Sequence, residues 1–172
     1  LMCYWGYKFE TVSTLSKPAS QLTPNDAELK SRKRETVNTN EQYCSVYRTR
    51  LGKHSMIMGA EVDCTADEKR PDRPSAGYIE LKTSRVMQTE HDRYTFARNK
   101  LIKYWAQSYL AAVPKIIVGF RDDRGRVRSL GTYNTMEIPR SVRKLPNMWE
   151  PQICLNFVDR FLDWLSTVVT ID

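Results

Sequence analysis

The sequence predicts a mixed α+β domain in which a central sheet is flanked by helices. Three observations point there. Alternating runs near residues 57–63 and 78–83 read as strands, a long run from about His91 to Ala112 has helical period, and a strand pair brackets Asp122-Asp123-Arg124-Gly125. With 172 residues and no internal repeat or low-complexity stretch, the chain suits one domain with a real core.

Taken in order, Cys3 to Glu10 is rich in aromatics and reads as a strand. Thr11 to Asn40 is a polar connection holding Pro18, Pro24 and the basic run Arg32-Lys33-Arg34. Tyr43 to Leu51 and His54 to Thr65 form a predicted hairpin about Gly52-Lys53. Residues 66–76, with Pro71 and Pro74 among many charges, are a surface loop, and Gly77 to Thr83 is the next strand. In the helical run, Tyr94, Ala97, Leu101, Tyr104, Trp105, Ser108 and Ala112 make a broad face expected in the core, and Pro114 stops the pattern. Phe96, Lys100, Lys103 and Gln107 fall on another face, where Lys100 is expected to be solvated. Lys115 to Arg121 and Arg126 to Thr132 are a second hairpin. Pro151 opens a last helix whose Phe157, Val158, Phe161, Leu162, Leu165 and Val168 form an apolar stripe, expected to be core.

The chemistry lies in two strings, Gly59-Ala60-Glu61-Val62-Asp63-Cys64 and Tyr78-Ile79-Glu80-Leu81-Lys82-Thr83. Strand residues two apart share a face, so Glu61 pairs with Asp63 and Glu80 with Lys82, while Ile57, Ala60 and Val62, and Ile79 and Leu81, make apolar rows. A solvated sheet face would also carry polar residues outward. Converging carboxylates, however, repel by about 4 kcal/mol at 4 Å and an effective dielectric near 20, so in a cleft they take up protons or hold a cation. Hard oxygen donors beside a lysine suit Mg²⁺ or Mn²⁺ bound to a phosphate ester. Asp63, Glu80 and Lys82 fit the acid, spacer, Glu-x-Lys pattern of PD-(D/E)xK nucleases, in which acids hold the metal and the ammonium orients water or screens developing charge.

Five strings in order sharpen this reading: Tyr4-Trp5-Gly6-Tyr7-Lys8-Phe9-Glu10, Glu41-Gln42-Tyr43-Cys44-Ser45-Val46, the two acidic strings, and Lys103-Tyr104-Trp105-Ala106-Gln107-Ser108. Together they resemble the decapping and exoribonuclease family known as DXO, which includes the fungal partner protein of the nuclear 5′-to-3′ exoribonuclease. The resemblance is specific from Tyr4 to about Arg121 and implies a PD-(D/E)xK nuclease-like sheet. It implies a metal-dependent hydrolase of RNA 5′ ends that removes incomplete or nicotinamide-dinucleotide caps, or pyrophosphate from triphosphate ends, with 5′-to-3′ exonuclease activity in some members. It also implies a nuclear or cytoplasmic location and, as the alternative function, a non-catalytic stabilising partner of the exoribonuclease. Family members are longer, and their N-terminal arginine motif has no counterpart here. The resemblance therefore implies that residues 1–172 are the catalytic core of a larger one-domain enzyme, with 11–40 and 66–76 as surface loops.

Residue roles follow motif by motif. The resemblance implies metal ligation by Glu10 (from a third strand), Glu61, Asp63, Glu80 and the backbone carbonyl of Leu81. It implies catalysis by Glu10, Glu61, Asp63, Glu80 and Lys82, and substrate contact by Cys44, Glu61, Lys82 and Gln107, with Cys44 equally open to a core role. Two divalent cations are expected. His54 and His91 match no motif, and a histidine base is unnecessary where a metal makes hydroxide.

Composition agrees. A formal charge of +7 and a pI near 9.3 favour a polyanionic partner such as RNA. No apolar run approaches the roughly 18 residues that span a bilayer. Cys3, Cys44, Cys64 and Cys154 lack the spacing of a zinc site.

Overall fold

The computed structural model describes residues 1–169 of the chain. Its centre is a four-stranded sheet of order β3-β4-β5-β6, built from β3 (Cys64–Thr65), β4 (Tyr78–Arg85), β5 (Lys115–Arg121) and β6 (Val127–Asn134). β4 and β5 run parallel, with Glu80 beside Ile116 and Lys82 beside Val118, and the other pairs are antiparallel. A parallel pair needs a crossover, here the helices α3 (Glu90–Thr95) and α4 (Leu101–Leu110) joined by a π-helical turn at Phe96–Lys100. β1 (Cys44–Leu51) and β2 (His54–Glu61) form a separate two-stranded hairpin in which Cys44 faces Glu61. The mixed α+β architecture predicted from the sequence is the one observed.

The first segment differs from its prediction. Met2–Ser13 is a helix, α1, so Glu10 comes from a helix and not from a third strand. The aromatics that favour a strand also recur at helical spacing: Trp5 and Phe9, four apart, both turn toward the sheet. Phe9 is buried on Ile79 and Leu81, and its ring lies so close to Gly119 that a Cβ there would sit 2.8 Å from it. Burial of one aromatic ring, worth about 2–3 kcal/mol, outweighs a strand propensity of tenths per residue.

The first of the two acidic strings is also broken. β2 ends at Glu61, Val62 turns into the core at 3 % exposure, and β3 resumes at Cys64, so Glu61 and Asp63 do not share one strand face. Ile57 is 80 % exposed and leaves the predicted apolar row, whose inward positions are His54, Met56, Met58 and Ala60. Alternation alone places Ile57 opposite Ala60, which the composition of the string concealed.

The two faces of β4 and β5 pack differently. On one, Ile116, Val118 and Phe120 meet Phe96, Ala97, Leu101 and Trp105 of the crossover and Ile138 and Val142 of α5 (Ile138–Val142). On the other lies α1. Thr89 caps α3 through a reciprocal bond with Asp92. The π turn inserts one residue, which brings Phe96 inward from the face predicted to be outside, while Ala112, beyond the helix, is exposed with φ 55°. The polar connection 11–40 contains short helical turns at Ala19–Gln21 and α2 (Ala27–Ser31).

The last helix, α6 (Pro151–Val168), overturns a further expectation. None of its residues is buried; Phe157 is 70 % and Trp164 55 % exposed, and Phe161 and Val168 are exposed too. Only one flank, Cys154 and Leu155, reaches the core. No helix among the described residues is long and apolar enough to cross a membrane.

Candidate active site

The site forms where one edge of β4 is left open. β3 pairs with β4 only at Tyr78 and Ile79, so from Glu80 onward that edge lacks a neighbouring strand. Asp63, just before β3, turns its side chain into the gap, and its Oδ2 accepts the Leu81 N–H at 2.6 Å. A strand residue's N–H and C=O leave the same edge, so the Leu81 carbonyl faces the gap as well. The peptide of Leu81 is thus a structural element of the site.

Glu80 and Lys82 project from the α4 face of the strand. Glu80 is 2 % exposed, and its Oε1 accepts Lys82 Nζ at 2.5 Å and Gln107 Nε2, from α4, at 2.8 Å. A buried carboxylate held by an ammonium and an amide is the satisfied form of a group that is costly to bury alone. From the opposite side α1 presents Cys3, Gly6, Tyr7 and Glu10, one stripe at helical spacing. These residues, with Glu61, Asp63, Glu80, Leu81, Lys82, Thr83 and Gln107, line a single cleft of about 370 Å³. An adjoining space of about 230 Å³ shares Tyr7, Glu10, Glu61 and Asp63. A larger cavity of about 830 Å³ shares only Asp63 and Leu81 of the predicted site residues and lacks the lysine and the other acids, so size does not mark the chemistry.

The acids share one negative field. Burial and then the Asp63 charge push the Glu10 carboxyl up to about 7, against some relief from Lys82. Burial raises Asp63, opposed by its Leu81 hydrogen bond and by Lys82. Burial and the Asp63 charge raise Glu80. Among the described residues, no three acidic, histidine or cysteine side chains close on one point tightly enough to cage an ion. Asp63 and Glu80 are instead engaged by protein donors. The donor chemistry still fits a hard divalent cation: carboxylate oxygens from three segments, a backbone carbonyl beside them, and acids whose charged forms the site disfavours until positive charge joins them.

Six of the predicted side chains therefore converge: Glu10, Glu61, Asp63, Glu80, Lys82 and Gln107. Cys44 does not line the cleft. It is exposed, which rules out a core role, and stands across the hairpin from Glu61. Cys3, Tyr7 and Thr83 line the cleft without having been singled out. The spacing of Cys3, Gly6, Tyr7 and Glu10 carried that information, once the segment is read as a helix.

The family model of the RAI1-like PD-(D/E)XK nuclease matches residues 1–172. The chain is 48% identical over 172 residues to the decapping nuclease RAI1 of Aspergillus fumigatus, covering 98% of this chain and 46% of that protein. It is 40% identical over 171 residues to the human decapping and exoribonuclease protein, covering 99% of this chain and 41% of that one. Among solved structures, Candida albicans Rai1 in complex with pU5-Mn²⁺ superposes with a TM-score of 0.88 at 34% identity, over 96% of this chain and 44% of that one. Scheffersomyces stipitis Rai1 superposes with a TM-score of 0.87 at 33% identity, over 97% and 43%. The chain spans somewhat under half the length of these relatives, and it belongs to the RAI1-like PD-(D/E)XK nuclease family.

Proposed function

We propose that this chain carries the hydrolytic centre of a metal-dependent RNA 5′-end decapping nuclease, acting on incomplete or nicotinamide-dinucleotide caps and on 5′-triphosphate ends. The observation that carries the reading is the arrival of Glu10, Glu61, Asp63, Glu80, Lys82 and Gln107 in one cleft from α1, the β2–β3 junction, β4 and α4. Glu10, Glu61, Asp63, Glu80 and the Leu81 carbonyl would hold Mg²⁺ or Mn²⁺, and the presence of Mn²⁺ with pU5 in Candida albicans Rai1 supports that choice. When bound, such ions polarise a phosphoryl oxygen and acidify water.

The protein's own groups have separable tasks. Lys82 places an ammonium beside the buried Glu80 carboxylate, where it offsets charge developing on the non-bridging oxygens of a phosphate. Gln107 fixes Glu80 from α4 and has a carbonyl oxygen left to orient a water. Asp63 holds the open strand edge in place through Leu81. The reaction is attack of water on phosphorus, with cleavage of the phosphodiester or phosphoanhydride bond and departure of the cap fragment or pyrophosphate.

The test is product analysis with Mn²⁺ and short RNAs bearing a triphosphate, an unmethylated cap, a nicotinamide-dinucleotide cap or a monophosphate. Release of pyrophosphate or an intact cap by the parent chain, and not by Glu80→Ala, is expected. Equal release by both would sink the assignment. The alternative reading is a stabilising partner of a nuclear 5′-to-3′ exoribonuclease, which the resemblance to the family suggests. An Asp63→Ala, Glu80→Ala variant should then keep that binding while losing hydrolysis.

A further inference from the structure

The hairpin of β1 and β2 has two unlike faces. Its inner face is held to the rest of the protein: Tyr47 donates its hydroxyl to the Leu110 carbonyl, Ser45 meets the Tyr78 hydroxyl, and His54 lies against Asp163 of α6. Burial alternates without a break along both strands, so the residues between these point the other way and are exposed. The register orders that outer face in rows. Cys44 stands beside Glu61, then Val46 beside Gly59, Arg48 beside Ile57, and Arg50 beside Ser55.

The first row adjoins the hydrolytic cleft, because Glu61 lines it. Strand residues two apart share a face, so the later rows continue the surface from which Glu61 reaches the cleft. Along β1, Arg48 lies about 14 Å and Arg50 about 20 Å from Cys44. Cys44 and Gly59 are small and leave the path beside Glu61 shallow. Beyond them Val46 and Ile57, diagonal neighbours across the hairpin, are 71 % and 80 % exposed. A strand face that met only water would be polar at such positions. Arg48 Nε donates to Ser55 Oγ at 3.1 Å and Arg50 Nε to the Gly52 carbonyl at 2.9 Å. Both bonds use Nε, which leaves the terminal nitrogens of each guanidinium to take phosphate oxygens. Neither arginine pairs with an acid among the described residues, and Glu61 is the only acid on this face.

Charge and continuity select the occupant. Cations without counterions, spaced along an apolar strip, suit a polyanion that also carries ribose and base surfaces, and the strip begins at a centre built to act on phosphate. We propose that the outer face of the β1–β2 hairpin is the track for the RNA strand beyond the hydrolytic centre, with Arg48 and Arg50 on its phosphates and Val46 and Ile57 under its riboses and bases. The proposal rests on the RNA 5′-end reading above, and it makes the affinity for RNA depend on chain length.

The test is binding of 5′-monophosphorylated oligouridylates, a dinucleotide and an octanucleotide, to this chain in Ca²⁺ between about 50 and 200 mM salt. Arg48→Ala and Arg50→Ala should each weaken octanucleotide binding several-fold and lower its log–log salt slope by about 0.7, whereas the dinucleotide, too short to reach either arginine from the cleft, should bind them as it binds the parent. Arg48→Lys should retain the slope. Ile57→Ser should weaken the octanucleotide with the slope kept. Arg143→Ala, an exposed arginine of another element, is the control for overall charge and should change neither. Both track arginines are exposed, and circular dichroism checks that each variant folds. Slopes unchanged in Arg48→Ala and Arg50→Ala, or lowered equally in Arg143→Ala, with the parent binding both RNAs, would overturn the track and leave the 5′-end reading standing. A parent chain that binds neither RNA would remove both.

Discussion

Stability should fall as pH rises from about 5 to about 7.5 in the metal-free chain, because the cleft makes its acids hold protons. The Glu10 carboxyl is raised from 4.5 to about 7, so over that window the folded chain binds more protons than the unfolded chain and the unfolding free energy declines. At face value the displacement is worth about 3 kcal/mol. Solvent screening at a half-buried side chain reduces it to roughly 1–2 kcal/mol. Asp63 and Glu80, also raised, act in the same direction. Asp92, Asp122 and Asp163 are lowered, and their contributions are lost only below the ordinary carboxylate range, outside the window. Urea denaturation in EDTA at the two pH values measures the difference. Glu10→Gln should flatten it, and Mn²⁺ should stabilise more at the higher pH, where it does not compete with protons. A parent whose stability is level or rises over this window, or a Glu10→Gln profile parallel to the parent's, would refute the reasoning.

Three further outcomes are expected. Lys82→Ala should lower turnover by a hundredfold or more, about 2.7 kcal/mol of barrier, while Mn²⁺ binding measured by calorimetry is kept or tightened. Ca²⁺ in place of Mg²⁺ or Mn²⁺ should support RNA binding without product release, since its looser, higher-coordinate geometry does not position a water for attack; product analysis after Ca²⁺ substitution checks this. Gly119→Ala, whose new methyl would meet the Phe9 ring at 2.8 Å, should cost about 1–3 kcal/mol in urea titrations.

The strands and the crossover helix were legible because their periodicity is carried by buried residues: Ile116, Val118 and Phe120 on one element, Ala97, Leu101 and Trp105 on the other. Two segments misread for opposite reasons. In α1 the aromatics score as strand, and only their contacts with Gly119 and Gly125 show that the four-residue spacing is the meaningful one. In α6 the spacing is right and the burial expected from it is not found, because an apolar stripe reports that a helix is amphipathic and not that the surface covering it lies among the described residues. The break at Val62 and Asp63 was hidden for a third reason. A two-residue departure from a strand has no composition of its own, and what forces it is the burial of Val62 against Tyr78 and Val113. The convergence of the site residues was legible through motif order, whereas the open edge of β4 that brings them together depends on where β3 stops.

That edge makes α1 decisive, for Glu10 reaches the cleft only as a consequence of where Phe9 packs. Adjacent helix residues point about 100° apart. With Phe9 seated on Gly119 and Leu81, Glu10 is turned toward the free edge of β4 and into the field of Asp63. The apolar contact and the acid are then one device, and their effects on metal affinity should not add. Phe9→Leu leaves an apolar side chain but removes the ring that sets the helix on Gly119. It should weaken Mn²⁺ binding about as much as Glu10→Gln, and the double variant should bind no more weakly than either single one. Losses that add in the double variant, measured by calorimetry on proteins shown to be folded, would mean that Phe9 contributes to the cleft only through stability and that Glu10 finds its place without it.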